Sequence, residues 1–331
     1  MNLQNRIDVL ALLGEYLQNN SPDWQETKKA ATAKNPWFTE DFIYKSTNAI
    51  AQQFLNKNKL REWTNYYHLD DLIAPKNLGI VMAGNIPMVG FHDLLSVFIT
   101  GHNQKIKLSS KDDVLIPYLI KKITEWEPQV VNYISIANQL IGCDAYIATG
   151  GNQSAVYFEQ YFSKYPNIIR RNRTSVAVLK GNESIDELLL LAEDIQSYFG
   201  LGCRNVTKIY VPQGYDFIPF LNSFKRFNYF REHNKYSNNY DYQLSILLLN
   251  NIKYMSNENL LLAENEKLFS PISVLHYEHY EDYSNLMKML SENQDIQCIV
   301  GIDNIKFGQS QNPNLFSYAD GVDTIQFLLS L

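Results

Sequence analysis

From Leu78 onward, short apolar runs alternate with helical stretches, and this alternation restricts the chain to α/β folds built on parallel sheet. Leu78-Gly79-Ile80-Val81-Met82-Ala83 reads as a buried strand, residues 91–100 as a helix, and Lys105-Ile106-Lys107-Leu108 as the next strand, with Gly101-His102-Asn103 turning between them. A helix over 113–126 follows, then a strand at 144–148, a Gly150-Gly151 turn, a helix over 152–162 and a strand at 175–179. Ser184 and Glu187 form a capping box that opens a helix over 185–199. That helix breaks at Gly200-Leu201-Gly202, and Cys203 stands between the break and the apolar run Val206-Thr207-Lys208-Ile209-Tyr210-Val211-Pro212. Farther on, the pattern predicts helices over 216–224 and 280–290 and strands at 272–277 and 297–302. We expect two domains: residues 1–180, and residues 181–331 with Cys203 and the C-terminal tail.

A helical lead-in precedes the sheet region. Ile7, Leu10, Leu13 and Leu17 recur at helical spacing, as do Ile43, Thr47, Ile50 and Phe54, while Asp23-Trp24 and Asn35-Pro36-Trp37-Phe38-Thr39 break the pattern between them. Thr39 is placed to cap a helix beginning near Glu40. At the far end, the apolar Ile325-Gln326-Phe327-Leu328-Leu329 should dock on the body or on a partner subunit of a homo-oligomer. With 331 residues, 45% of them hydrophobic, the chain can bury a large core. Its 29 basic and 35 acidic residues argue against nucleic acid, whose partners carry a basic stripe. Apolar runs at 188–192 and 246–249 are far shorter than the roughly 20 residues a membrane helix needs, so no membrane span is expected. Cys143, Cys203 and Cys298 are scattered, and no secretory pattern opens the sequence, so free thiols in the cytoplasm are the expectation.

Several residues could carry chemistry. Cys203 is either a nucleophile beside a cleft or a small buried hydrophobe. Gly84-Asn85-Ile86-Pro87-Met88 leaves the carboxyl end of a strand, the edge where open α/β sheets bind ligands. There Asn85 could donate to a developing oxyanion or simply hold the turn. Lys107-Leu108-Ser109-Ser110 closes the next strand and could grip ribose or phosphate, or lie in solvent. Thr149-Gly150-Gly151-Asn152 permits close approach of a ligand but lacks the spaced-glycine dinucleotide fingerprint. His276 and His279 have a metal-like spacing, yet on a strand they point to opposite faces. Arg170, Arg171 and Arg173 form a basic cluster near an expected strand start and read as solvated. Asp93 beside His92 does not form a dyad on a helix.

The order of these features, a Gly-Asn-x-Pro loop, a strand closing in Lys-x-Ser, a Thr-Gly-Gly turn and then a cysteine before a strand, resembles the aldehyde dehydrogenase superfamily, and within it the LuxC-like acyl-CoA reductases. The resemblance runs from Leu78 to Pro212 and extends to Leu268-Phe269-Ser270-Pro271, which is similar to a Glu-x-Phe-Gly-Pro motif with Lys267 and Ser270 at its glutamate and glycine positions. It implies a Rossmann-type parallel sheet and a second, catalytic α/β domain. It further implies that Cys203 is the nucleophile and Asn85 the oxyanion-hole carboxamide, that Lys107 and Ser109 lie at the adenosine ribose, and that Gly150 and Gly151 border the cofactor. Ser110 stands where NAD-selective relatives often carry a glutamate, which tilts the expected cofactor toward NADPH, with NADH as the alternative.

Residues 174–181, matched to the stretch where hydrolytic members hold a water-activating glutamate, contain no acid. The expected activity is therefore reduction of a long-chain fatty acyl-CoA to the aldehyde. The alternatives are another activated acyl donor, an acyl-supplying partner enzyme, or a catalytically degenerate nucleotide-binding or interaction protein of the same fold. One feature opposes an activated thiol: Cys203 follows the carboxyl end of a helix, whose dipole disfavours a thiolate.

Overall fold

The computed structural model describes residues 1–19, 21–301 and 303–331. Its chain divides into two compact units, Met1–Asn172 with Asn312–Leu331, and Arg173–Gln311. The expected division at 180/181 thus lies inside the second unit, because the strand that begins at Thr174 is an interior strand of the second sheet, and the last residues belong to the first unit.

In the first unit, α1 (Leu3–Gln18), α2 (Pro22–Lys34), α3 (Glu40–Gln53) and α4 (Lys57–Tyr66) precede β1 (Asn77–Val81), α5 (Phe91–Thr100), β2 (Asn103–Lys107), α6 (Leu115–Trp126), β3 (Ile134–Ile136), β4 (Ala145–Thr149), α7 (Asn152–Phe162) and β5 (Asn167–Arg170). Among the described residues the strands form a parallel sheet in the order β3-β2-β1-β4-β5. Order reverses at β1, so the carboxyl ends of β1 and β4 flank the crevice where such sheets take ligands. Leu10, Leu13, Ile43 and Ile50 from the lead-in helices share one core with Ile80, Phe98, Ile106 and Ile147. Asp23-Trp24 does not break the helical pattern: Ser21 caps α2, Pro22 opens it, and Trp24 is buried in a helix whose apolar face is too sparse to read from sequence.

The second unit holds β6 (Thr174–Val178), α8 (Ile185–Gln196), β7 (Val206–Pro212), α9 (Phe217–Ser223), α10 (Asn234–Leu249), β8 (Tyr254–Ser256), β9 (Leu261–Glu264), β10 (Val274–Tyr280), α11 (Tyr283–Glu292) and β11 (Ile296–Val300). Its sheet runs β11-β6-β7-β10-β9-β8, parallel except for the β8–β9 edge. The expected strand at 297–302 is found as β11, and residue 302 lies outside the described residues.

The tail forms α12 (Thr324–Leu329), with Ile325 and Leu328 buried in the core of the first unit. What anchors it is Arg170. Rather than opening a strand and lying in solvent, Arg170 ends β5 and is 2% exposed. It donates to Asp93 at 2.8 Å, to the Ala319 carbonyl at 2.6 Å and to Thr324 Oγ1 at 2.8 Å. Asp93 is thereby a buried ion-pair partner, while His92 bonds the Leu315 carbonyl at 3.1 Å. Arg171, in contrast, is exposed and pairs with Glu159. No helix among the described residues is long and apolar enough to cross a membrane.

Candidate functional site

The two ends of the expected site belong to different units, and each is built by its own local rules. In the first unit, the loop after β1 is pinned on both sides. Ser46 of α3 donates to the Pro87 carbonyl at 2.7 Å, and the Met88 N–H, at φ 57°, donates to Asp112 Oδ2 at 2.6 Å. A Cβ at Gly84 would stand 2.7 Å from Ser109 Oγ and 3.2 Å from the Asp112 nitrogen, so a side chain there would displace the turn after β2. Asn85 is half-buried within this pinned loop.

The turn after β2 packs against the same loop. Lys107 and Ser110 are exposed at the strand end. Ser109 is half-buried, and its Oγ accepts from the Lys111 N–H at 3.3 Å, so this hydroxyl closes its own turn. Asp112 escaped the sequence reading, since an acid pair after a strand ordinarily lies in solvent. Here it is 5% exposed, and burial lifts its carboxyl to about 7, against the Met88 bond that lowers it and with Asp113 adding to the rise. Gly150 and Gly151 close β4 on the other side of the crevice; at Gly151 a Cβ would meet nothing within 4 Å. The structure therefore brings Asn85, Lys107, Ser109, Ser110, Gly150 and Gly151 to one sheet edge of the first unit.

Cys203 lies in the second unit, on the turn that enters β7. The helix expected over 185–199 ends at Gln196, because Tyr198, Phe199 and Gly200 in succession adopt left-handed backbone, with φ of 54°, 55° and 76°. For residues with side chains this conformation costs roughly 1–2 kcal/mol each, so packing must impose it. Phe199 is held among Phe230, His233 and Tyr236, with ring centroids 4.6, 4.6 and 5.4 Å away. Asn205, fully buried, ties the rest of the turn: its Oδ1 accepts from the Gly202 N–H at 2.8 Å, and its Nδ2 reaches the Ser197 carbonyl at 2.7 Å.

Ser175 of β6 donates its single hydroxyl proton to the Cys203 carbonyl at 3.0 Å. The 3.0 Å contact between Ser175 Oγ and Cys298 must then be a bond donated by the Cys298 thiol. That thiol is buried and its pKa is raised by burial, as is that of Cys143, which suits two structural cysteines. Cys203 alone among the three is only half-buried. Arg204 donates to the Ser310 carbonyl at 3.3 Å, and Asp194 of α8 accepts from the Gly308 and Ser310 N–H groups at 2.6 and 3.0 Å. The 308–310 loop is thus locked to the helix end and the cysteine turn together. Nothing in the sequence singles out Asn205, Ser175 or Asp194, since each bonds to partners distant in the chain or on a turn of unexpected shape.

Of the acid-free stretch 174–181, Ser175 meets Cys203, whereas Gly181 lies beyond the opposite end of β6. The segment 266–268, where the resemblance substitutes Lys267 for a glutamate, is fixed by three side chains acting on three successive carbonyls. Lys208 Nζ donates to that of Glu266 at 2.7 Å, His276 Nδ1 bonds that of Lys267 at 2.9 Å, and Thr207 Oγ1 donates to that of Leu268 at 2.7 Å. His279 bonds the Pro212 carbonyl at 3.2 Å, so both histidines of the metal-like spacing hold backbone. Among the described residues no group of His, Cys, Asp and Glu is arranged to hold a metal ion. A surface cavity of about 480 Å³ is lined by Asn228, Arg231, Tyr240 and Glu258, none of them a residue named above.

Sequence comparison matches no family model and no curated protein. Comparison of folds does find relatives. An oxidoreductase from Marinobacter aquaeolei superposes with a TM-score of 0.68 at 8% identity, over 91% of this chain and 73% of that one. Aldehyde dehydrogenase 21 from Physcomitrella patens, solved with succinate, gives 0.66 at 12% identity, over 91% and 74%. A Mycobacterium tuberculosis aldehyde dehydrogenase solved with NAD+ gives 0.64 at 11% identity, over 94% and 76%. The chain has an aldehyde-dehydrogenase-like α/β fold, with a parallel sheet in one unit and a second sheet in the other.

Proposed function

We propose that the protein is an oxidoreductase of the aldehyde level, and specifically an acyl-CoA reductase that converts a long-chain fatty acyl-CoA to the aldehyde with NADPH. The observation that carries this reading is the Cys203 turn, a strained and heavily anchored segment that leaves its cysteine half-buried while Cys143 and Cys298 are buried. Fold relatives that are aldehyde dehydrogenases, one solved with NAD+, support aldehyde chemistry and a nicotinamide cofactor.

The first sheet fits such a cofactor on its own evidence. Its crevice at the β1/β4 reversal is bordered by the exposed Lys107 and Ser110, the pinned Asn85 loop and the open space over Gly151. Lys107 and Ser109 would hold the ribose, and Ser110, with no charge to repel a 2′-phosphate, favours NADPH. When bound, NADPH supplies the hydride that takes an acyl thioester to the aldehyde level. The chain's own residues do the rest. The Cys203 thiolate attacks the thioester carbonyl, the carbon–sulfur bond to CoA breaks, and CoA leaves as a thiolate. The Cys203 N–H stabilises the oxyanion, a task the resemblance also gives to the Asn85 carboxamide. No acid in 174–181 activates water, so the acyl-enzyme on Cys203 is spared hydrolysis.

The test is NADPH consumption with a long-chain acyl-CoA while the aldehyde is trapped; turnover that survives in Cys203→Ala refutes the mechanism. An acyl phosphate or an acyl group delivered by a partner enzyme gives the same acyl-enzyme, and rates with each donor at one cofactor concentration rank them. A second reading, a degenerate member of the fold, is favoured by Lys267 standing where the resemblance expects a glutamate. Selective alkylation of Cys203 in the native protein speaks against it.

A further inference from the structure

The side-chain carboxamide and backbone N–H of Asn205 are committed to one structure, while its carbonyl accepts from the Ser175 N–H of β6 at 3.1 Å. Its Oδ1 accepts from the Gly202 N–H at 2.8 Å, and its own N–H donates to the Gly202 carbonyl at 3.0 Å. Its Nδ2 faces the carbonyls of Ser197, Asp194 and Ile195 at 2.7, 3.0 and 3.2 Å, so two amide protons serve three acceptors. Those carbonyls belong to the last turn and cap of α8, where a helix leaves its acceptors unmatched and its dipole is negative. The reach is made feasible by the left-handed run Tyr198–Phe199–Gly200, which folds the chain back so that residue 205 lies against the helix end.

We propose that Asn205 is a positioning residue for Cys203: its carboxamide caps the carboxyl end of α8 while it fixes the Cys203 turn, so the thiol is aimed and the helix end facing that turn is neutralised. This rests on the reading of Cys203 as the nucleophile. Only a carboxamide satisfies both halves. Aspartate offers no N–H to the three carbonyls and adds charge of the wrong sign, and alanine leaves them uncovered. The other charged and titratable groups about the turn include Arg204 beside Cys203, Asp194 on α8, Cys298 on β11, Tyr198 within the turn, and His233 and Tyr236, whose rings pack tilted against Phe199. All are left in place by a change at residue 205.

The experiment is the pH dependence of iodoacetamide labelling of Cys203 in the full chain, followed on the Cys203 peptide by mass spectrometry. In Asn205→Asp and Asn205→Ala proteins that keep the wild-type circular dichroism spectrum, the labelling midpoint rises by about half a unit to one unit. Ser175→Ala, which frees the Cys203 carbonyl but leaves α8 capped, keeps the wild-type midpoint. In turnover the Asn205 variants lose kcat at neutral pH and regain it at higher pH, with KM for acyl-CoA unchanged. Equal midpoints in wild type and folded Asn205 variants, or an equal shift in Ser175→Ala, overturn the proposal. Should neither variant fold, wild type alone decides: a native midpoint above that of the urea-unfolded chain overturns it, and one at or below it supports it. Labelling does not depend on turnover. Activity that persists in Cys203→Ala therefore removes the nucleophile while the labelling result still judges the cap.

Discussion

The Met88 N–H and Asp112 Oδ2 are 2.6 Å apart, which ties the loop after β1 to the turn after β2 through a carboxyl group only 5% exposed. Asp112 takes up a proton at about 7, so between its ordinary 3.8 and about 7 the folded chain binds more protons than the unfolded one. Stability then falls as pH rises through that window, and above it the loss is complete. Wild type should be weaker in urea at pH 8 than at pH 5, by an increment on the order of a few kcal/mol. Asp112→Asn, which keeps an acceptor for Met88, should show a much smaller difference; equal differences in the two proteins would contradict the burial argument.

Arg170 and Asp93 are a buried ion pair, 2.8 Å apart, that also holds the tail through Thr324 and Ala319. Removing one partner strands the other, so Arg170→Ala should cost about 3–5 kcal/mol. Limited proteolysis should then cut the released tail near residues 318–323, where wild type resists. An unchanged cleavage pattern would show that α12 docks by its apolar face alone.

At Gly200, φ of 76° is natural for glycine and strained for alanine. Gly200→Ala should destabilise by about 1–2 kcal/mol, read from urea unfolding. Because Phe199 and Asn205 hold the turn on either side, the same change should slow Cys203 alkylation more than it affects Cys143 or Cys298, which stay protected by burial.

Much of the fold was legible because a parallel sheet announces itself through apolar runs: β1, β4 and β7 and their following helices lie within a residue or two of expectation. The four-residue β5, only Ile168 and Ile169 of which are apolar, gave no such signal, and Arg170 was misread in consequence. Missing too was α10, whose buried side includes Tyr236 and Tyr240 in a segment crowded with Asn and Ser. The candidate site was legible where chemistry is carried by a conspicuous residue type, as at Cys203, or by a loop at a strand end, as at Asn85. Its supports were not. Asn205 reads as an ordinary turn residue, and its role exists only because three preceding residues turn left-handed, which the Gly-Leu-Gly sequence hints at but Tyr198 and Phe199 conceal.

Lys208 is fully buried, donates to the Glu266 carbonyl and pairs with Glu278, which is itself 39% exposed. In Lys208→Met, Glu278 can hydrate, while the 265–269 segment loses an anchor. Backbone hydrogen exchange there should quicken by roughly tenfold, the worth of one hydrogen bond, with little change in β7. Uniform quickening through the second unit would mean that Lys208 supports the sheet rather than the loop.

Whether Cys203 carries the acyl group is decided by mixing the protein with a long-chain acyl-CoA without NADPH and measuring the mass of the Cys203 peptide. The expected result is an added acyl mass on Cys203, one CoA released per adduct, and discharge of the adduct to aldehyde when NADPH is supplied. NADPH-dependent aldehyde formation with Cys203 unmodified, or undiminished in Cys203→Ala, would contradict it.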